Sequence, residues 1–476
     1  MTAVEPAATS DAAALGYGAL VNELRAAFDS RLTRPLAWRS AQLRQLVRLL
    51  TENEPELLAA LATDLGKPTI EAYATDIGFS AMEIKGLIKN LERWTADTKV
   101  RLPLTAMPGR GRIVHQPLGV ALVIAPWNYP IQLLLVPVAC AIAAGCAVVA
   151  KPSELAPATS AAMGRLIPRY LDARAVAVVE GGVPETAALL KERWDTIFYT
   201  GNGTVGRVVA RAAAEHLTPV TLELGGKSPV IVDRDADLNV AARRISWGKF
   251  LNAGQTCIAP DHVLVHEAVA DELIDRIVST IGDLYGNDAR TSPDYARIIN
   301  SRHFARLGRL IDGAGPSGVA AHVVTGGVRD PRDRYLAPTV LTDIADDAPC
   351  MAEEIFGPVL PIIPVRDVED AIARVNAGDK PLALYAFSRN DHTLQRIVDH
   401  TSSGGVCLNH VVMHVTAPSL PFGGVGESGT GSYHGRCGIE AFSHRRSVMS
   451  KPTSPDPSIM YPPYTAIKRW VMRKAF

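Results

Sequence analysis

Cysteine is scarce: the 476 residues hold six, Cys140, Cys146, Cys257, Cys350, Cys407 and Cys437, and no two form a C-x-x-C unit. Their scatter excludes a disulfide-stapled secreted scaffold and a thiolate metal cage; it predicts buried small thiols, with room for one nucleophile, in a reducing compartment. Net charge is missing too, since 49 basic residues balance 49 acidic ones. A broadly basic nucleic-acid binder is therefore excluded, and the pair Arg445-Arg446 is too short to make a basic stripe. The N-terminal stretch has no charged segment followed by a long apolar core, so no secretion signal is expected and the cytoplasm is the expected location. His262 with His266, and His410 with His414, lack an H-E-x-x-H frame or a third ligand, so no metal centre is expected.

Long uninterrupted apolar runs are also absent. Residues 118–150 are long enough to cross a bilayer, but Pro126, Asn128, Pro130, Gln132 and Pro137 break them up. GVALVIA and GCAVVA have the continuous apolar character of strands covered on both faces, so this stretch predicts buried strand, loop, helix, buried strand. No integral membrane segment is expected.

What is present is length and alternation. A hydrophobic content of 47% over this length is that of a globular chain with two or three domains. Residues 38–95 are predicted helical: Leu43, Leu46, Val47 and Leu50 share a face, and Gly66 stands where a helix needs a left-handed end. RLPLTAMPGRGRIVHQ (101–116) breaks that pattern with Pro108-Gly109 between extended runs, a hairpin that must pair with another part of the chain or another subunit. Apolar strands then alternate with helices: VALVIA, AVVAK, AVAVVEGG, TIFYT, PVTLEL, SPVIV, HVLVH, HVVTGG and LPIIPV. That order predicts an α/β fold with two mainly parallel sheets. From Ser402 the texture becomes glycine-dense.

TIFYT is followed by Gly201-Asn202-Gly203-Thr204-Val205-Gly206 and a helical VVARAAAEH, a literal G-x-G-x-x-G between strand and helix. Taken alone it fits a dinucleotide, another phosphate or a tight turn. Glu223, about 20 residues on, stands where a ribose-binding acid is expected. Three strands precede this motif, however, and Lys151-Pro152-Ser153-Glu154 closes GCAVVA with a second candidate ribose contact, which frees Glu223 for chemistry.

Four further segments carry that chemistry: Pro126-Trp127-Asn128-Tyr129-Pro130, Glu223-Leu224-Gly225-Gly226-Lys227, Gly254-Gln255-Thr256-Cys257 and Glu354-Ile355-Phe356-Gly357-Pro358. In this order and spacing they resemble the aldehyde dehydrogenase superfamily. CIAPD, SGGVCLNHVVMH, GSYHG, FSHRRSV and YPPYT resemble its class 3 branch of fatty and aromatic aldehyde dehydrogenases, and the likeness runs nearly the whole chain. It implies a three-domain architecture: a Rossmann-like cofactor domain (1–97 and 119–220) interrupted by an oligomerisation hairpin (98–118), an α/β catalytic domain (221–401), a β-rich bridging segment (402–448) and a C-terminal extension (449–476).

The same resemblance implies an NAD cofactor, with NADP possible, and a homodimer. It implies that Cys257, a thiol with an ordinary pKa of about 8.5, attacks the aldehyde. Asn128 and the Cys257 N–H would hold the oxyanion, and Glu223 would activate the hydrolytic water. Glu354 and Phe356 would position the nicotinamide ribose, Lys151 and Glu154 the adenosine ribose, and Gly201, Asn202 and Gly206 would lie near the pyrophosphate. Trp127, Ser153, Leu224 and Gly225 are further cofactor-site candidates in these motifs. Gly203 departs from the Thr or Ser usual at its place. Two other readings remain: a coenzyme A-acylating enzyme, against which Glu223 speaks, and a non-catalytic protein that keeps the fold.

Overall fold

A computed structural model describes residues 16–313, 321–345 and 347–475. Most of the N-terminal stretch considered for a secretion signal, residues 1–15, lies outside them. Helices Leu36–Glu52, Glu54–Leu65 and Gly78–Thr95 fill the region predicted helical, and bury Leu43, Leu46, Leu49, Leu50, Leu57 and Ile84 in one core. Gly66 ends the second of them at φ +56°, with Arg297 packed where a side chain would have to go, so only glycine closes that turn without strain.

In chain order the strands are β1 (Thr98–Val100), β2 (Arg110–Pro117), β3 (Val120–Ile124), β4 (Ala147–Lys151), β5 (Val176–Val178), β6 (Thr196–Thr200), β7 (Val220–Glu223), β8 (Pro229–Val232) and β9 (His262–His266). They continue as β10 (His322–Thr325), β11 (Arg329–Asp330), β12 (Tyr335–Leu336), β13 (Thr339–Thr342), β14 (Val359–Val365) and β15 (Ala383–Phe387), then β16 (Gly405–Leu408), β17 (Gly429–Thr430) and β18 (Ser443–Ser450). One sheet has the order β17-β7-β6-β3-β4-β5, a second β10-β13-β14-β9-β8-β15-β16, and a third β1-β2-β18; β11 and β12 form a separate ribbon. Every pairing in the first two sheets is parallel except at the edge strands β17 and β10.

Every residue of β3, β4 and β6 is buried, the burial expected of parallel strands covered by helices on both faces. The helix between β3 and β4, Gln132–Ala144, is buried along its whole length. That accounts for the apolar stretch 118–150, and no helix among the described residues is long and apolar enough to cross a membrane.

Hairpin strand β2 pairs with β1 and, over eight residues, with β18, so its second partner is a distant part of the same chain. The glycine-dense segment after Ser402 is shared out: β16 completes the second sheet, β17 edges the first, and β18 joins the hairpin. Strand β7 belongs to the first sheet, which places the crossing between sheets at residues 224–228, after Glu223.

The topology brings the motifs together. In the first sheet β3 lies between β4 and β6, so the chain winds outward in both directions, and ligands of such sheets sit beyond the carboxyl ends of the strands at that reversal. Trp127 and Asn128 follow β3, Lys151 to Glu154 follow β4, Gly201 to Gly206 follow β6, and Glu223 ends β7. From the second sheet, Cys257 precedes β9 and Glu354 precedes β14.

Candidate active site

The loop ahead of Cys257 is built from an unfavourable backbone. Asn252, Ala253 and Gly254 have φ of +54°, +51° and +74°, a left-handed run in which each non-glycine residue costs roughly 1–2 kcal/mol. Hydrogen bonds to three other parts of the chain hold it, at Glu71, at Asn128 and at Arg297 and Ile299. Asn252 donates its amide to the Asn128 carbonyl (2.9 Å) and the Gln255 carbonyl (3.2 Å). Gln255 donates to the carbonyls of Asn252 (3.0 Å) and Arg297 (2.9 Å) and accepts from Ile299 N–H (2.9 Å). Glu71 accepts from Asn252 N–H at 2.9 Å. A Cβ on Gly254 would lie 2.3 Å from the Gly357 carbonyl oxygen, so this position requires glycine for both space and φ.

Asn128 is buried, and its amide donates to the Gln255 carbonyl at 3.1 Å. An amide has two N–H groups, so this bond fixes its orientation and leaves a second donor. The neighbouring Tyr129 hydroxyl shares a 2.6 Å hydrogen bond with Thr256 Oγ1. Lys67, fully buried, donates to Asp76 (2.8 Å) and to the Asn128 carbonyl (3.0 Å), and its ammonium lies 4.1 Å from the Tyr129 ring centroid. Asp76 in turn accepts from Ile131 and Gln132 N–H.

Cys257 is half-buried, yet burial pushes its thiol well above the ordinary value, and Glu354 and then Glu223 push it further. This corrects the expectation of an ordinary thiol: desolvation of the sulfur, with two acidic groups beside it, disfavours the thiolate. Glu223 is buried, neither carboxyl oxygen has a hydrogen-bond partner among the described residues, and burial alone raises it well above the usual carboxylate range. Glu354 is pushed up to about 8, by burial first and by Asp261 next, against the pull of Gly226 N–H, Lys227 and Arg306. These shifts favour the protonated forms of both carboxyl groups.

Glu354 lies on the glycine pair that follows Glu223: a Cβ on Gly225 would come 2.1 Å from its Oε2. Its loop is held from below by Asp261, which accepts from Ile355 N–H (2.9 Å) and pairs with Lys227, and Lys227 also donates to the Cys350 and Glu353 carbonyls. Arg306 holds it from the side, through the carbonyls of Glu354 (3.1 Å) and Ile355 (2.6 Å). Phe356, at φ +47°, packs edge-on against Trp127 with ring centroids 5.3 Å apart, and Trp127 meets His303 at 5.0 Å.

Along the same cleft, Gly201 N–H donates to the Glu223 carbonyl (3.0 Å), and a Cβ on Gly206 would press against Leu224. Asn202 caps helix Gly203–Ala214, its Oδ1 accepting from Val205 N–H at 3.0 Å, and Gly203 is the first helical residue. The remaining N–H groups of that first turn form the positive end of a helix. Lys151 is buried, donates to the Pro152 carbonyl (2.8 Å) and lies 3.6 Å from the exposed carboxylate of Glu154. Ser153, also buried, accepts from Leu155 N–H at 3.3 Å. All fourteen residues singled out in the sequence lie at or just beyond the carboxyl ends of β3, β4, β6 and β7, or in the loops ahead of β9 and β14. Sequence reasoning missed Glu71, Asn252, Lys67, Asp76, Asp261 and Arg306. Of these, Asp261 lay inside the quoted CIAPD, and the others stood in no quoted segment as candidates.

A doubly wound sheet whose strand ends present a capped helix terminus, facing a cysteine loop and two buried carboxyl groups, is the layout of a nucleotide-dependent enzyme working on a carbonyl. The chain belongs to the aldehyde dehydrogenase family: the model of the Aldehyde dehydrogenase family matches residues 4–448. It is 48% identical over 450 residues to mouse aldehyde dehydrogenase family 3 member A2, covering 94% of this chain and 92% of the relative. It is likewise 48% identical to the dog aldehyde dehydrogenase named dimeric and NADP-preferring, covering 94% and 98%. Among solved structures, the substrate-bound state of Staphylococcus aureus AldH superposes with a TM-score of 0.92 at 43% identity, covering 95% and 98%. The NAD-dependent aldehyde dehydrogenase of Sinorhizobium meliloti gives 0.83 at 31% identity, covering 92% and 87%. The chain's activity is the NAD(P)-dependent oxidation of an aldehyde.

Proposed function

We propose that Cys257 is the nucleophile that turns a medium- or long-chain aliphatic, or aromatic, aldehyde into a carboxylate, by way of a thiohemiacetal and a thioester on its own sulfur. The carrying observation is the convergence on Cys257 of a hydrogen-bonded loop, an oriented Asn128 amide and the acidic groups of Glu354 and Glu223.

Because burial disfavours the thiolate, attack needs a base to take the thiol proton, and Glu223, unpartnered and raised in pKa, is suited to receive it once ionised. The second N–H of Asn128, with the N–H of Cys257, stabilises the charge that develops on the aldehyde oxygen. A nicotinamide dinucleotide, when bound, supplies the hydride acceptor. Once Glu223 has passed that proton to solvent, it takes one from water, and the hydroxide so formed attacks the thioester carbonyl. The carbon–sulfur bond breaks, the departing sulfur takes the proton back from Glu223, and the acid product ionises to carboxylate in solvent; that role favours hydrolysis over transfer to coenzyme A.

The residues fit such a cofactor. Glu354 on the Gly225-Gly226 backbone, with Phe356 and Trp127, forms the wall for the nicotinamide ribose. The first turn of helix Gly203–Ala214, with Gly201, Asn202 and Gly206 backed by Leu224, suits a pyrophosphate. Lys151, Ser153 and Glu154 suit the adenosine ribose. Glu154 favours NAD, because its carboxylate repels a 2′-phosphate; Lys151 beside it permits NADP, the preference named for the dog relative.

We also infer a homodimer in the cytoplasm. Exposed Leu104 and Met107 on the hairpin, the unpaired edge of β1 and the dimeric relative support the dimer, while six free cysteines support a reducing compartment.

The test is reduced-nicotinamide formation by purified protein with aliphatic, aromatic and carboxylated aldehydes, with NAD or NADP, beside Cys257→Ala. Coenzyme A-independent turnover that yields carboxylate and vanishes in Cys257→Ala is expected. Turnover that survives the substitution would sink the assignment, turnover that requires coenzyme A would convert it to an acyl-transferring enzyme, and none in a folded, cofactor-binding protein would favour a non-catalytic role.

A further inference from the structure

We propose that Glu71, outside every motif of the cleft, is a positioning residue whose carboxylate holds the left-handed turn at Asn252 and so aims Cys257 and Asn128. The inference rests on Cys257 being the nucleophile and adds to it a group on a different element, helix Thr69–Ala72.

Asn252 is fully buried, and its N–H donates to Glu71 Oε1 at 2.9 Å. A buried N–H must be paired, and a left-handed asparagine followed by a left-handed alanine reverts to an ordinary backbone unless its surroundings over-determine it. The Asn252 side chain then spreads this constraint. It binds the Asn128 carbonyl and the Gln255 carbonyl, while Asn128 binds the same Gln255 carbonyl with its amide. Removal of the Glu71 acceptor therefore frees one peptide, two residues ahead of Gly254, that orients both the cysteine loop and the Asn128 amide. Such misplacement lowers the rate of the chemical step more than it weakens cofactor binding.

Glu71 is ionisable in a telling environment. Burial lifts it to about 7; Lys67 and the Asn252 N–H oppose that rise, and Asp76 and Asp294 add to it. The hydroxyls of Tyr129, Tyr285 and Tyr295 face it from three other segments. Lys67 is already committed to Asp76, so Glu71 carries its charge without a full counter-ion of its own. The ionised carboxylate is a stronger acceptor for Asn252 N–H than the acid. The clamp therefore tightens as pH rises through about 7 and loosens below it.

The full-length enzyme with saturating aldehyde and varied nicotinamide cofactor provides the test, with kcat and cofactor KM measured from pH 5.5 to 9 (roughly two units either side of the Glu71 value), beside the rate of Cys257 alkylation by iodoacetamide. Glu71→Ala is expected to lower kcat and the alkylation rate by roughly tenfold or more, with cofactor KM changed less than about twofold. Glu71→Gln keeps an acceptor oxygen, so it restores most of kcat while losing the inflection near pH 7. Should Glu71→Ala fail to fold, the Glu71→Gln profile decides alone. A Glu71→Ala enzyme within twofold of the parent across the range, or a Glu71→Gln profile that superposes on the parent's, overturns the proposal. Parent turnover that disappears in Cys257→Ala keeps such a failure separate from failure of the nucleophile assignment.

Discussion

Around Cys257 the chain is tied by hydrogen bonds to several distant segments, whereas around Asn202 and Glu154 one helix cap and one pair between buried Lys151 and exposed Glu154 are in place. The difference follows from what each end must do. With Cys257 as the proposed nucleophile, attack of its sulfur on a carbonyl carbon needs alignment within fractions of an ångström, which accounts for a strained backbone that its surroundings over-determine. A pyrophosphate and a ribose need only polar groups facing the right way, and a helix terminus supplies these without strain.

The comparison breaks most sharply at Gly254. Gly254→Ala places a Cβ against the Gly357 carbonyl at a left-handed backbone, and should abolish folding or lower kcat by at least about 100-fold; circular dichroism and turnover separate the two outcomes. A near-normal enzyme would mean the loop is not over-determined. Next in size, Asn128→Ala should lower kcat by about 10²–10³, the loss typical of one oxyanion donor. A change confined to KM would instead make Asn128 a packing residue.

Protonation sharpens the contrast. Glu354 has a folded-state pKa of about 8, above its unfolded value, so its stabilising contribution is complete below the unfolded pKa and is lost as pH rises through about 8. Thermal unfolding of the cofactor-free protein should therefore show Tm falling from about pH 5 to about pH 8.5, with Glu354→Gln making that fall shallower. Parallel curves for parent and variant would place Glu354 in a solvated setting. The smallest effect belongs to the relaxed end: Asn202→Ala removes a single cap, worth about 0.5–2 kcal/mol, and should lower Tm by about 1–3 °C. A collapse there on the scale of Gly254→Ala would erase the distinction between the two ends.

Much of this was legible beforehand because it is local. Strands such as TIFYT and VALVI are continuous apolar runs bounded by turn residues, and each proved fully buried. Gly66 and Gly254 stand where only glycine fits, and the latter fell inside a recognisable motif. Long-range pairings left no such trace. The hairpin's second partner, β18, is charged and mostly exposed, so its eight-residue pairing with β2 has no hydrophobic signature. Asn252 and Ala253 carry no mark of a left-handed backbone, since neither residue type demands it.

Sequence by itself determined the element types, the order of the cleft segments along the chain and the residue types able to do the chemistry, because periodicity and side-chain chemistry are properties of neighbouring residues. Tertiary structure alone decided the upward pKa shifts of Cys257, Glu223 and Glu354, and the hydrogen bond that Glu71 accepts from a peptide 181 residues away. Desolvation and backbone strain arise only when distant segments exclude water from one another and hold one another in place.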